Sequence, residues 1–258
     1  LDFWERELDG APELIALPTD RPRPPVQGNH ADAVTFEIDD ELSAAIRQFA
    51  HAHNASLFMV LHAAWVLVLH RLTGDRDVVV GTPYAGRGER ALEHLVGMFM
   101  NTVVLRTPVD PARGFGALVG DVRDRDLAAL GNADIPFDMV VDKLQPTRST
   151  AHSPIFQVLL LLQDAQTARF DLPGVTAELV EQYRDLTDHD LAITLIEGGG
   201  GGHMLSGVIE YATDLFDRDT VAGFIAIFER VIRQVVVEPD RAMGDLEVLG
   251  AADIERRR

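Results

Sequence analysis

The sequence predicts an α/β fold in which a mixed sheet is covered by helices, and three observations carry that prediction. Short β-prone apolar runs recur at 33–38, 77–83, 96–106, 153–163, 191–196 and 204–212. Between them lie stretches with apolar residues at helical spacing, over 40–53, 57–73, 115–130, 136–144 and 216–237. Two runs, Val78-Val79-Val80 and Val158 to Leu162, are apolar without alternation, which is the pattern of strands covered on both faces.

In order, residues 1–8 read as a short amphipathic helix. Pro12, Pro18, Pro22, Pro24 and Pro25 then hold 11–27 extended, because each removes a backbone donor. Ala33 to Ile38 alternates as a half-buried strand. Asp39 or Asp40 caps a helix to about His53, and Ser56 caps the next, Leu57 to Thr73, which Gly74 ends. That second helix is apolar on nearly every side, so it belongs between layers. Asp77 to Pro83 is a central strand that delivers the loop Tyr84-Ala85-Gly86-Arg87-Gly88-Glu89-Arg90. The run 96–106 reads as a Gly-punctuated entry into a buried strand that a turn at Thr107-Pro108 ends. Phe115 to Leu130 is helical through Leu118, Val122, Leu127 and Leu130. Pro136 opens a helix to Leu144, Ser153 to Gln163 is a strand, and Gly198 to Gly202 is a hairpin tip between two more strands. Phe216 to Val237 is the last helix, and no internal repeat is present.

The 258 residues, 47% of them hydrophobic, suffice for a large core. Lys+Arg of 23 against Asp+Glu of 41 leaves a net charge of −18, and Lys143 is the only lysine. So acidic a chain argues against nucleic acid or an anionic membrane as partner. With no cysteine, disulfides, thiol catalysis and thiolate metal sites are excluded, and a cytoplasmic address fits. The most apolar run, Leu57 to Leu69, contains His62 and is shorter than the roughly 20 residues that span a bilayer. The N-terminus lacks an initiator Met and a signal-peptide pattern, so the chain reads as the middle of something longer.

No complete catalytic set is legible. No His is followed four residues later by Asp, and no Gly-x-Ser-x-Gly elbow or His-Glu-x-x-His helix occurs. Asp188-His189-Asp190 is the nearest candidate for a metal or acid/base cluster, but in a strand His189 points away from its neighbours. His94 and His152 default to structural hydrogen bonding. Arg87 in its glycine loop suits a phosphate, although such an arginine is more often solvated. Asn101 interrupts an apolar run, so its amide is either satisfied inside the fold or faces a ligand.

Three stretches resemble core motifs of the condensation domains of nonribosomal peptide synthetases. Val96-Gly97-Met98-Phe99-Met100-Asn101-Thr102 with Arg106 resembles the fifth, and Asn132-Ala133-Asp134-Ile135-Pro136-Phe137-Asp138 the sixth. Arg148-Ser149-Thr150-Ala151-His152-Ser153-Pro154-Ile155-Phe156-Gln157 resembles the seventh, departing at Ser149 and His152. The resemblance covers essentially the whole chain but only the second half of the family's domain. Its His-His-x-x-x-Asp-Gly motif, which belongs to the first lobe, is absent here.

The resemblance implies a chloramphenicol-acetyltransferase-like C-terminal lobe over 31–250, an extended lead-in over 1–30 from the N-terminal lobe, and the start of a linker to an adenylation domain over 251–258. It implies peptide-bond formation between thioesters on donor and acceptor peptidyl carrier proteins, whose phosphopantetheine arms carry the substrates, in secondary-metabolite biosynthesis. No cofactor or metal is implied, and the isolated half is expected to be inactive. Met100, Asn101 and Thr102 would line the substrate channel. Arg87, Arg90 and Arg148 are candidates for contact with a carrier or its arm. Gly97, Arg106, Asp134, Pro136, Phe137 and Pro154 would be structural. A non-catalytic module that docks carriers or recruits enzymes is the alternative; within the enzyme class, epimerization and heterocyclization relatives stay open. An excised lobe would expose a sheet edge and an apolar face, so self-association is expected.

Overall fold

A computed structural model describes residues 1–87, 92, 94–164, 186–198 and 205–248. The element order is α1 (Asp2–Glu7), β1 (Ala31–Ile38), α2 (Asp40–Ala52), α3 (Leu57–Thr73), β2 (Asp77–Tyr84), β3 (Asn101–Pro108), α4 (Phe115–Leu130), α5 (Phe137–Leu144), β4 (Val158–Asp164), β5 (Leu191–Glu197), β6 (Leu205–Ala212) and α6 (Arg218–Val237), followed by a 3₁₀ turn at Met243–Asp245. The six strands lie in the order β1-β6-β5-β4-β2-β3. β4 runs parallel to β5 and to β2, and the other pairs are antiparallel. The expected mixed α/β sheet is therefore present, with β1 and β3 at its edges.

The helix boundaries follow their caps. Asp39 accepts from Leu42 N at the start of α2. Ser56 accepts from Met59 N at the start of α3, and Gly74, at φ 80, ends it in the left-handed conformation that a residue without Cβ adopts freely. Every residue from Met59 to His70 is buried, as expected of a helix between layers. Trp65 stacks on Phe228 of α6 with centroids 4.6 Å apart. No single described helix is long and apolar enough to cross a membrane.

Four expectations are corrected. The strand read over 96–106 begins at Asn101, and Leu95, Val96, Met98 and Met100 are exposed outside the ladder. Thr107 and Pro108 do not end it in a turn. They continue β3 opposite Val78 and Asp77, and Pro108 sits in an edge strand, where a missing donor is tolerated. The strand read from Ser153 begins at Val158, because Pro154 and Ile155, at φ 69, bend the chain first. On α4, Leu127 and Leu130 are exposed while Leu118, Val119 and Val122 form the core face beside a buried Asp126. The hairpin tip at 199–202 lies outside the described residues.

Candidate functional site

Asn101 stands at the first residue of β3, at the sheet edge. Its Nδ2 donates to Ala133 O and Ile135 O, each at 2.8 Å, and its Oδ1 accepts from Phe137 N at 3.0 Å. Phe137 opens α5, whose N-cap is Pro136 and supplies no side-chain acceptor. A helix start leaves backbone donors unpaired, and Asn101 provides the missing cap from a distant part of the chain. The polar interruption of an apolar run is thereby explained: both amide hydrogens are spent on the 132–138 loop. Asp134 and Pro136 are exposed on that loop, and Ala133 is buried.

The loop leads into a row of rings. Phe137 lies 5.5 Å from Phe156, which stacks on His189 at 5.5 Å and 12°. The Phe156 ring occupies the space over Gly81, where an added Cβ would stand 2.2 Å from a ring carbon, so β2 needs glycine there. Next in sequence, Gln157 donates to Glu13 O and Ser153 O and accepts from Ile15 N, all at 3.0 Å, which fastens the extended lead-in to β4. The second motif-like stretch thus bridges the other two, bonded to Asn101 of the first and packed through Phe137 on Phe156 of the third.

The arginines differ in what they hold. Arg106 forks onto Asp77, with Nε 3.1 Å from both carboxylate oxygens, and donates to Glu7 O and Asp9 O at 2.8 Å. The Asp77 carboxylate raises its pKa further. These bonds tie α1 and the residues after it to β2 and β3. Arg87 is half-buried and folded back on its own loop: it donates to Leu92 O, to Leu95 O at 2.9 Å and to Gly97 O at 3.5 Å, and lies 4.5 Å over the Phe99 ring. Gly86, at φ 65, lets Phe99 O approach to a point where a Cβ would be 1.9 Å away. Arg90 lies outside the described residues. Arg148 is exposed and lines a cavity of about 720 Å³ with Asp142, Ser149, His152 and Pro154. Met100 is 60% exposed and Thr102 half-buried, beside Asn101. Gly97 is exposed against the Phe99 ring.

Asp188-His189-Asp190 is no metal cluster, and none exists among the described residues. The segment precedes β5 rather than belonging to a strand. Asp190, 1% exposed, is gripped by Arg23 through both oxygens. Burial lowers the His189 pKa against the opposing pull of Asp188 and Asp190. Sequence reading missed a second buried pair, His62 Nδ1 at 3.1 Å from Asp126, because Asp126 looked like one more surface acid on α4.

The Condensation domain family model matches residues 1–256. Similar curated proteins include CymA of Salinispora arenicola, a probable non-canonical nonribosomal peptide synthetase, 42% identical over 96% of this chain and 3% of its own length. Isonitrile lipopeptide synthase of Mycobacterium tuberculosis is 36% identical over 99% of this chain and 10% of its own length. The chain thus spans a small part of these relatives. Among solved structures, the X-domain from teicoplanin biosynthesis superposes with TM-score 0.89 at 27% identity, over 96% of this chain and 56% of that one. A four-domain nonribosomal peptide synthetase bound to AMP and glycine gives 0.86 at 25%, over 97% and 20%. The mixed sheet with its helices is the chloramphenicol-acetyltransferase-like fold of these neighbours, and the chain belongs to the condensation-domain family of nonribosomal peptide synthetases.

Proposed function

We propose that this chain is the C-terminal lobe of a condensation domain and supplies one wall of the channel in which a carrier-bound amine attacks a carrier-bound thioester. The observation that carries the reading is the linkage of Asn101 to the 132–138 loop and of that loop, through Phe137, to Phe156 over β2, within a chain that matches the family throughout. In the reaction the acceptor amine adds to the thioester carbonyl, loses a proton and expels the donor arm's thiolate. A general base or orienting imidazole for that step is placed on the first lobe, in the His-His-x-x-x-Asp-Gly motif that this chain lacks.

Met100, Asn101 and Thr102 wall the channel, Asn101 by fixing the 132–138 loop. The first lobe, donor and acceptor peptidyl carrier proteins and an adenylation domain are the partners, in the cytoplasm. Residues 1–30 are the lead-in, 31–250 the lobe and 251–258 the linker. The test is reconstitution with the matching first lobe and two loaded carriers, following dipeptidyl-carrier by intact mass. Product from the mixture, and none from either half, supports the reading.

A second reading has its own support. An X-domain from teicoplanin biosynthesis, which one of the similar structures holds in complex with OxyB, superposes at 27% identity. In that reading this lobe docks a partner enzyme without chemistry. An intact first lobe that assembles with this chain yet forms no product would favour it.

A further inference from the structure

Asn101 holds the 132–138 loop through Ala133, Ile135 and Phe137, and the start of the loop is held by a side chain from the other end of the sequence. Trp4, in α1, is 2% exposed, and its Nε1 donates to Asn132 O at 3.2 Å across 128 positions. An indole carries one donor and no acceptor, and a buried one directs that hydrogen to a partner. Here the partner is the first carbonyl of the loop.

The seat of that indole is built from the elements around the loop. α4 ends at Leu130, just before it, and α5 begins within it at Phe137. Glu7 of α1 takes Arg125 of α4 at 2.7 Å, and Glu5 takes Lys143 of α5 at 3.2 Å. Arg106 of β3, the strand that begins at Asn101, donates to Glu7 O at the last residue of α1. The helix is therefore joined to the loop, to the helix on each side of it and to the strand that carries the other clamp. These ties are unequal. Both ion pairs are open to water, where such pairs contribute little. The buried indole, with Phe3 packed edge-on against it at 4.9 Å, is the tie that reaches the loop itself. With one carbonyl fixed at 132 and further groups fixed from 133 to 137, loosening either clamp loosens what the other holds. Coupling of that kind acts equally in both directions.

We propose that Trp4 is a positioning residue for condensation: with Asn101 it clamps the 132–138 loop from opposite ends, so that the seating of α1 sets the channel wall. The proposal deepens the condensation-lobe reading and rests on it for the reaction that the loop serves. Trp4 acts through Asn132 and touches no substrate.

The test uses the whole chain with Trp4→Phe or with benzothienylalanine at position 4, the same bicycle with sulfur in place of N–H. Lys143→Gln, which removes an exposed tie of α1, is the control. Hydrogen exchange is read at Phe137, whose amide is bonded to Asn101 and not to Trp4, and at Leu160, buried in the central strand β4. The benzothienylalanine chain should exchange Phe137 about fivefold faster than wild type, the factor for one lost neutral bond, with Leu160 unchanged. Trp4→Phe should do at least as much, and Lys143→Gln should change neither amide. In the reverse direction, the chain labelled with 5-fluorotryptophan gives two resonances, one for each of its two tryptophans, and Trp4→Phe identifies that of Trp4. Asn101→Ala should shift the Trp4 resonance and leave that of Trp65 in place. With the first lobe and loaded carriers added, the benzothienylalanine chain should lose about fivefold in kcat at unchanged KM. Wild-type exchange at Phe137 in that chain, an unchanged kcat, or a Trp4 resonance blind to Asn101→Ala overturns the proposal, since Trp4 is then ordinary packing. Exchange that quickens equally at Leu160 and Phe137 also overturns it, because the loss is then one of general stability. Wild-type lobes that assemble without condensing overturn the functional reading instead, while the exchange and fluorine results still decide the clamp.

Discussion

Replacing Asn101 with Ala removes three bonds at once, at 2.8, 2.8 and 3.0 Å, and strands two carbonyls and the first amide of α5. Each such bond contributes about 1 kcal/mol net. Asn101 is half-buried, so water recovers part of the loss, and the expected cost is about 2 to 3 kcal/mol in urea unfolding. Asn101→Asp is the sharper probe. It keeps the acceptor for Phe137 N but sets a carboxylate oxygen against Ala133 O and Ile135 O, so it should be less stable than Asn101→Ala. Hydrogen exchange at Phe137 should quicken in Asn101→Ala, which loses its acceptor, and less in Asn101→Asp, which keeps one. In the reassembled domain, activity should fall with the order of the loop. An Asn101→Ala protein within about 0.5 kcal/mol of wild type, with Phe137 exchange unchanged but condensation abolished, would refute this account and make Asn101 a direct substrate contact.

Gly81→Ala drives a Cβ to 2.2 Å from the Phe156 ring and should cost about 1 to 3 kcal/mol in denaturant unfolding; adding Phe156→Leu should recover part of it, and no recovery would mean the ring is not the obstacle. His189 has a folded pKa below its ordinary 6.5, so between the two values the unfolded chain binds the extra proton and stability falls as pH drops below 6.5. The stability advantage of wild type over His189→Phe should therefore shrink with acidification through that window; a constant difference across it would contradict the burial argument. The exposed Leu95, Val96, Met98 and Met100 should make the isolated chain self-associate, and serine at Val96, Met98 and Met100 should shift sedimentation toward monomer. A wild-type chain sedimenting cleanly as monomer would count against the exposed apolar face.

The helices were legible because their signals are local. Asp39, Ser56 and Gly74 mark ends that any window of a few residues contains. Strand starts were less so: apolar composition cannot distinguish Val96 to Met100, exposed beyond the ladder, from Val103 to Leu105, buried within it. At the site, Asn101 was visible as an anomaly, but its partners lie 32 to 36 positions away, and only the fold brings them together. Arg87 misled because a glycine loop suits a phosphate and a folded-back arginine equally well; Phe99 and three carbonyls decided between them. The buried Asp126 is a tertiary fact without a local sequence signal.

The most direct test of the central claim is the yield of dipeptidyl-carrier when this chain, its first lobe and two loaded carriers are combined, with assembly of the lobes verified in the same sample. Product that requires both lobes is the predicted result. Product from this chain alone would contradict the assignment of the reacting imidazole to the first lobe, and no product from assembled lobes with an intact His-His-x-x-x-Asp-Gly motif would contradict catalysis itself.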